Sequence, residues 1–156
     1  MRIDLAELAA PSHTAIVTQE CQGAVVGPNA GLAVLAQEAQ REALPNIERL
    51  LPTARGAGVK VVHCLVQRRP DGLGANHNAK IFAIGDGSDG EIAITPGTPG
   101  AELLPELGPA PTDLVLRRDA VAGIPTDYSK TIIDNMLSLL ATITTTGDLI
   151  EVWNQP

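Results

Sequence analysis

Aromatic side chains are nearly missing from this chain: Phe82, Tyr128 and Trp153 are the only three in 156 residues. Any core must therefore be aliphatic. Cysteine is almost as scarce, and Cys21 and Cys64 make neither a disulfide framework nor a zinc-ligand spacing. Positive charge is thin as well. The net charge is −7, and there is no basic run beyond Arg68–Arg69 and Arg117–Arg118, which argues against nucleic acid or an anionic membrane as partner. The opening stretch MRIDLAELAAPSH lacks the apolar core of a signal peptide, and no apolar run approaches a membrane span. A reduced, cytoplasmic setting is the expectation.

What is present suits a single domain, 44% hydrophobic and 19% charged, large enough for a core of its own. The most informative stretch is TAIVTQECQGAVVG, residues 14–27. A short apolar run ends in Gln19, Glu20, Cys21 and Gln22, and a Gly-containing turn leads toward a helix. Polar residues at the carboxyl end of a strand are where an open α/β sheet binds its ligand. Glu20 is thus the first candidate for an active-site carboxylate.

Along the chain, residues 1–13 suggest one helical turn, and 14–20 the first strand. Pro28 and Asn29 are expected to open a helix, with Asn29 as N-cap. Leu32, Leu35, Ala36 and Ala39 give it an apolar stripe. Pro45 should break or kink that helix, and Gly56 and Gly58 should end it. Residues 59–65 (VKVVHCL) read as a second strand, buried on both faces and parallel to the first. Residues 69–100, rich in Gly, Pro, Asn and Asp, read as a long loop over the strand ends. A short helix over 101–107 and a third strand over 113–118 (DLVLRR) follow. An amphipathic helix is expected over 127–141, with Ile132, Ile133, Met136, Leu137 and Leu140 on its buried face. A last short strand at 143–146 and a helical turn at 148–153 complete the pattern.

That order of segments resembles the isochorismatase-like cysteine hydrolase superfamily. TAIVTQECQ resembles its first strand, which ends in Asp-x-Gln. ITPGTPGAELLPELGPAPTDLVLRR resembles the approach to its third strand, which ends in Lys. DAVAGIPTDYSKTIIDNMLSLLATITTT resembles the segment after its fifth strand. The resemblance implies a three-layer α/β/α fold with a parallel sheet, and hydrolysis of a small amide or related small molecule. It also implies a site of carboxylate, cation and nucleophilic Cys. A thiolate attacks the carbonyl, the cation keeps the thiol ionised, and the carboxylate carries the proton to the leaving group.

Carried over by position, Glu20 stands where the family has Asp and Arg118 where it has Lys. Both are departures: Glu is one methylene longer, and Arg cannot give up a proton at neutral pH. A third departure is larger. The family's fourth and fifth strands, with the Cys between them, have no counterpart between Arg118 and Asp119. Without them the first strand is left as an exposed apolar edge.

Neither Cys in the chain suits the nucleophile's role. Cys21 follows Glu20 on an extended strand and is expected to face away from it as a small buried hydrophobe. Cys64 and His63, within the second strand, are expected in core packing and as a satisfied histidine. Either Arg117 or Arg118 could face the site. Asp71 and His77 do not match metal-ligand spacing, and GDGSDG at 85–90 lacks a calcium loop's terminal Glu, so no metal and no cofactor are expected. The partners expected are a small-molecule substrate and further copies of the chain, because helix 127–141 is apolar on more than one face. A non-catalytic ligand-binding or oligomer-forming relative is the alternative reading.

Overall fold

The computed structural model describes residues 4–72, 93–118 and 144–154. Its centre is a parallel sheet of three strands, β1 (Ala15–Gln19), β2 (Lys60–Val66) and β3 (Leu114–Arg118), in that spatial order. Each strand is a β-branched or leucine-rich run, the composition a pleated, packed surface favours. The expected strands agree with these to within one residue at each end. The register places Val17 beside Val62 and Gln19 beside Cys64, and across β2 it places Val62 beside Leu114 and Val66 beside Arg118.

A short α1 (Leu5–Leu8), capped by the Asp4 carboxylate, precedes β1. After β1 come α2 (Gly23–Val26) and α3 (Ala33–Glu38). The expected Asn29 cap is not used: Gly27 interrupts the helical path, and the longer helix starts after Leu32. Pro45 does not break that helix either. A π-helical turn, Ala39–Ala43, joins α3 to α4 (Leu44–Gly56), and Pro45 falls in the first turn of α4. A missing N–H costs least there. The widened turn before it absorbs the mismatch that would otherwise kink the path.

α4 lies on one face of the sheet. Leu51 packs there with Val61, Cys21, Val26, Leu104 and Leu107, and Ala54 packs with Ala9, Val59 and Trp153. Full burial of a side chain such as Leu51 is worth about 2 kcal/mol. The C-terminal α5 (Thr146–Trp153) starts on a capping box between Thr145 and Asp148. It is anchored by Trp153, whose indole N–H donates to the Ala9 carbonyl at 2.6 Å. Thr145 is therefore a cap, not part of a strand. The expected helix over 101–107 is two 3₁₀ turns, Pro99–Ala101 and Pro105–Leu107. A proline opens each one, and Gly108 in the left-handed conformation closes the second.

The opposite face of the sheet is more open. Val62 and Cys64 are only half-buried, so β2 is not covered equally on both faces as its composition suggested. Val17, Leu114 and Leu116 are exposed. Among the described residues β1 pairs only with β2 and lies at one end of the three-stranded order. The helix expected at 127–141 lies outside the described residues, as does most of the 69–100 loop.

Candidate active site

Parallel pairing brings the carboxyl ends of β1, β2 and β3 to one side of the molecule. The ladder runs one residue past β1, since the Glu20 N–H donates to the Cys64 carbonyl at 2.7 Å. There the chain turns sharply. Glu20 adopts φ 55°, the only positive φ at a non-glycine among the described residues, and its carbonyl accepts the Gln22 N–H at 2.8 Å. A left-handed conformation at a residue with a Cβ costs about 1 kcal/mol or more. Such strain collects at functional positions. The Glu20 side chain is buried, and its Oε1 accepts from the Gln19 carboxamide at 2.8 Å.

Gln22, two residues on, is fully buried and spends its whole carboxamide on backbone groups. Its Oε1 accepts the Val66 N–H at 2.7 Å, and its Nε2 donates to the carbonyls of Val66 (3.0 Å) and Gly100 (2.9 Å). That ties the end of β1, the end of β2 and the 3₁₀ turn at Pro99–Ala101 together. The Gly23 N–H adds a bond to the Glu102 carbonyl, and the Leu104 N–H one to the Cys21 carbonyl. Only glycine fits at position 23, because a Cβ there would stand 2.6 Å from the Pro99 carbonyl oxygen. A cavity of about 310 Å³ opens beside this junction, lined by Gly23, Asn29, Pro99, Glu102 and Leu104 among others. Glu20 is not among its lining residues.

Arg118 is the last residue of β3 and stands level with Val66, so β2 lies between it and Glu20. Arg117 stands level with Leu65; its guanidinium donates to the Glu102 carboxylate at 3.1 Å and the Ala101 carbonyl at 3.4 Å. The candidate carboxylate and the two arginines thus share one end of the sheet, around a loop that Gln22 and Arg117 both hold.

Neither cysteine joins them as a nucleophile. Cys21 is buried in the core cluster with Leu51 and Val61. Burial pushes its thiol up; a hydrogen bond with the Gln19 backbone offsets part of this, and the Glu20 charge adds to the rise. The alternation argument for Cys21 does not hold, since Glu20 is not extended, but the expected buried role does. Cys64 is half-buried on the open sheet face, less enclosed than expected. Among the described residues no group of three His, Cys, Asp or Glu side chains could hold a metal. Asp71 pairs with Arg69, and His77 lies outside the described residues.

Sequence reading expected a satisfied His63 but named none of its partners. His63 is fully buried between Thr18 and Asp113: Nδ1 is 2.7 Å from the Thr18 hydroxyl, and Nε2 is 3.2 Å from Asp113 Oδ2. An ionised carboxylate only accepts, so His63 Nε2 donates to Asp113. Arg55 closes the chain with a fork onto Asp113, at 3.1 and 2.6 Å. Burial alone would raise the Asp113 carboxyl, but Arg55, the Ala110 N–H and His63 together hold it below its ordinary value. Alternation along β2 hinted that His63 faces inward; its partners, 45 and 50 residues away, left no local signal.

Comparison with known proteins decides the family. Residues 14–120 match the isochorismatase domain model. The chain belongs to the isochorismatase-like family. Solved structures agree. An isochorismatase family protein from Desulfovibrio vulgaris is 28% identical, with TM-score 0.54 over 78% of this chain and 60% of that one. A cysteine hydrolase from Pseudomonas syringae pv. phaseolicola is 19% identical, with TM-score 0.57 over 80% of this chain and 55% of that one. An isochorismatase-like hydrolase from Alkaliphilus metalliredigens is 14% identical, with TM-score 0.58 over 90% of this chain and 99% of that one. This chain therefore spans little more than half of the first two relatives. No curated protein sequence matches it. Among the described residues no helix is long and apolar enough to cross a membrane.

Proposed function

We propose that this chain is built as an isochorismatase-like hydrolase of a small amide or related small molecule, with Glu20 handling the proton and Arg118 supplying the cation. The observation that supports it most is the backbone of Glu20, held at φ 55° at the carboxyl end of β1 with its carboxylate buried. A surface glutamate satisfied by the next helix needs no such conformation. The fixed Glu-x-Gln arrangement beside it, with Gln22 spent on β2 and the Gly100 turn, fits the same role.

The thiol that completes the family's chemistry is neither Cys21 nor Cys64 in this reading. We place it in polypeptide between the third strand and the DAVAG segment, which these 156 residues do not contain. These 156 residues alone are expected to show no cysteine-dependent hydrolysis. A second reading, a ligand-binding relative without turnover, draws on the burial of Cys21 together with the two substitutions at Glu20 and Arg118. A single-domain, homo-oligomeric, cytoplasmic protein needing no cofactor is part of the same proposal.

The test is turnover of a panel of small amides by the protein from the intact gene, with and without Glu20→Gln. Loss of roughly 100-fold or more, as general acid–base catalysis implies, supports the hydrolase. Binding without turnover favours the second reading, and turnover indifferent to Glu20 removes the first.

A further inference from the structure

The three strands are not held alike. Val61, His63 and Leu65 of β2 are buried, whereas Leu114, Val115 and Leu116 of β3 are 59%, 45% and 55% exposed. Among the described residues β3 thus has its ladder with β2 but little apolar anchoring of its own. Its one deeply buried side chain is at its start: the Asp113 side chain is 2% exposed. That carboxylate accepts from Arg55 on α4 through both oxygens, from His63 on β2 at 3.2 Å, and from the Ala110 N–H at 2.8 Å. His63 in turn meets Thr18 on β1.

We propose that the Thr18–His63–Asp113–Arg55 chain is a polar latch that holds β3 onto the sheet, so that β3 opens as a local unit when the Asp113 carboxylate is lost. Elements with few buried apolar contacts lie at the low-stability end of a native fold and open before the rest. For β3 the latch replaces the missing packing. One carboxylate serves three elements, so its loss frees the Arg55 fork and leaves the buried His63 N–H without its acceptor. Because β3 ends in Arg118, the latch also sets whether that end of the candidate site is in place. That consequence rests on the proposed function; the latch itself does not.

Native-state hydrogen exchange at neutral pH tests it without any activity. In the wild type, the β3 amides bonded to β2 should exchange through a smaller opening than those of β1 bonded to β2. Asp113→Asn weakens the native state alone, so it should speed the β3 amides by on the order of 100-fold and those of β1 by no more than that. Leu51→Ala, in a core cluster that holds no β3 residue, should speed the β1 amides by well over tenfold and leave those of β3, which open without the core, nearly unchanged. If Asp113→Asn does not fold, Arg55→Lys keeps the charge, loses the fork, and should give a smaller rise in β3. Unchanged β3 exchange in the latch variants, or equal acceleration of β1 and β3 by Leu51→Ala, overturns the proposal.

Discussion

Gln22 meets Val66 as one peptide group meets another, its carboxamide oxygen taking the Val66 N–H at 2.7 Å and its nitrogen giving to the Val66 carbonyl at 3.0 Å. β1 has already turned away at Glu20, so a side chain supplies the pairing that a longer strand would have given. The sheet end stays rigid while the chain leaves it.

Gln22→Ala should therefore be costly. It strands a buried N–H and two buried carbonyls, those of Val66 and Gly100. Each unsatisfied buried group costs about 1–3 kcal/mol, and relaxation recovers part, so a loss of about 3 kcal/mol is expected. Urea unfolding measures it. A loss within about 0.5 kcal/mol, the scale of an ordinary surface change, would mean that the junction is not held by Gln22.

Stability should depend on acid pH through Asp113. Its carboxyl is held below the ordinary value despite burial, because Arg55, Ala110 and His63 favour the ionised form. A group whose folded value is depressed contributes stability above its unfolded value and loses it as pH falls through the folded one. Asp113→Asn should thus be weaker than wild type by about 3 kcal/mol at neutral pH, with the gap closing as carboxylates protonate. Denaturant titrations across the acid range read this directly; a gap that widens toward low pH contradicts it.

Glu20 should separate stability from function. Glu20→Gly removes the side chain and also the steric cost of φ 55°, since glycine takes positive φ freely. The strain relief of about 1 kcal/mol offsets the loss of the Gln19 contact and the added freedom of the unfolded chain. Thermal unfolding is expected within about 1 kcal/mol of wild type, alongside loss of whatever the site does. A large destabilisation would identify Glu20 as a structural residue instead.

Much of this fold could be read from the sequence because its signals are local. The β-branched runs at Ala15–Gln19 and Lys60–Val66 locate their strands, and the helix between them dictates parallel pairing. Proline was harder. A missing N–H can break a helix, kink it or be absorbed by a wider turn, and only packing selects the π turn before Pro45. The position of Glu20 was legible, but not its left-handed backbone, which depends on a bond to the Cys64 carbonyl and one from the Gln22 N–H. The His63 latch was invisible for a plainer reason. Thr18, Arg55 and Asp113 are each unremarkable alone, and they meet only once the sheet and α4 exist.

The central claim is that Glu20 marks the site while neither cysteine in these 156 residues supplies its nucleophile. The most direct test is alkylation of the native chain followed by mass spectrometry, with hydrolysis of small amides assayed on the same samples. The account predicts that Cys21 reacts much more slowly in the native than in the unfolded chain, because burial raises its thiol. It also predicts that any hydrolysis is indifferent to modification at Cys64. Rapid labelling of Cys21 or Cys64 with a parallel loss of turnover would contradict it.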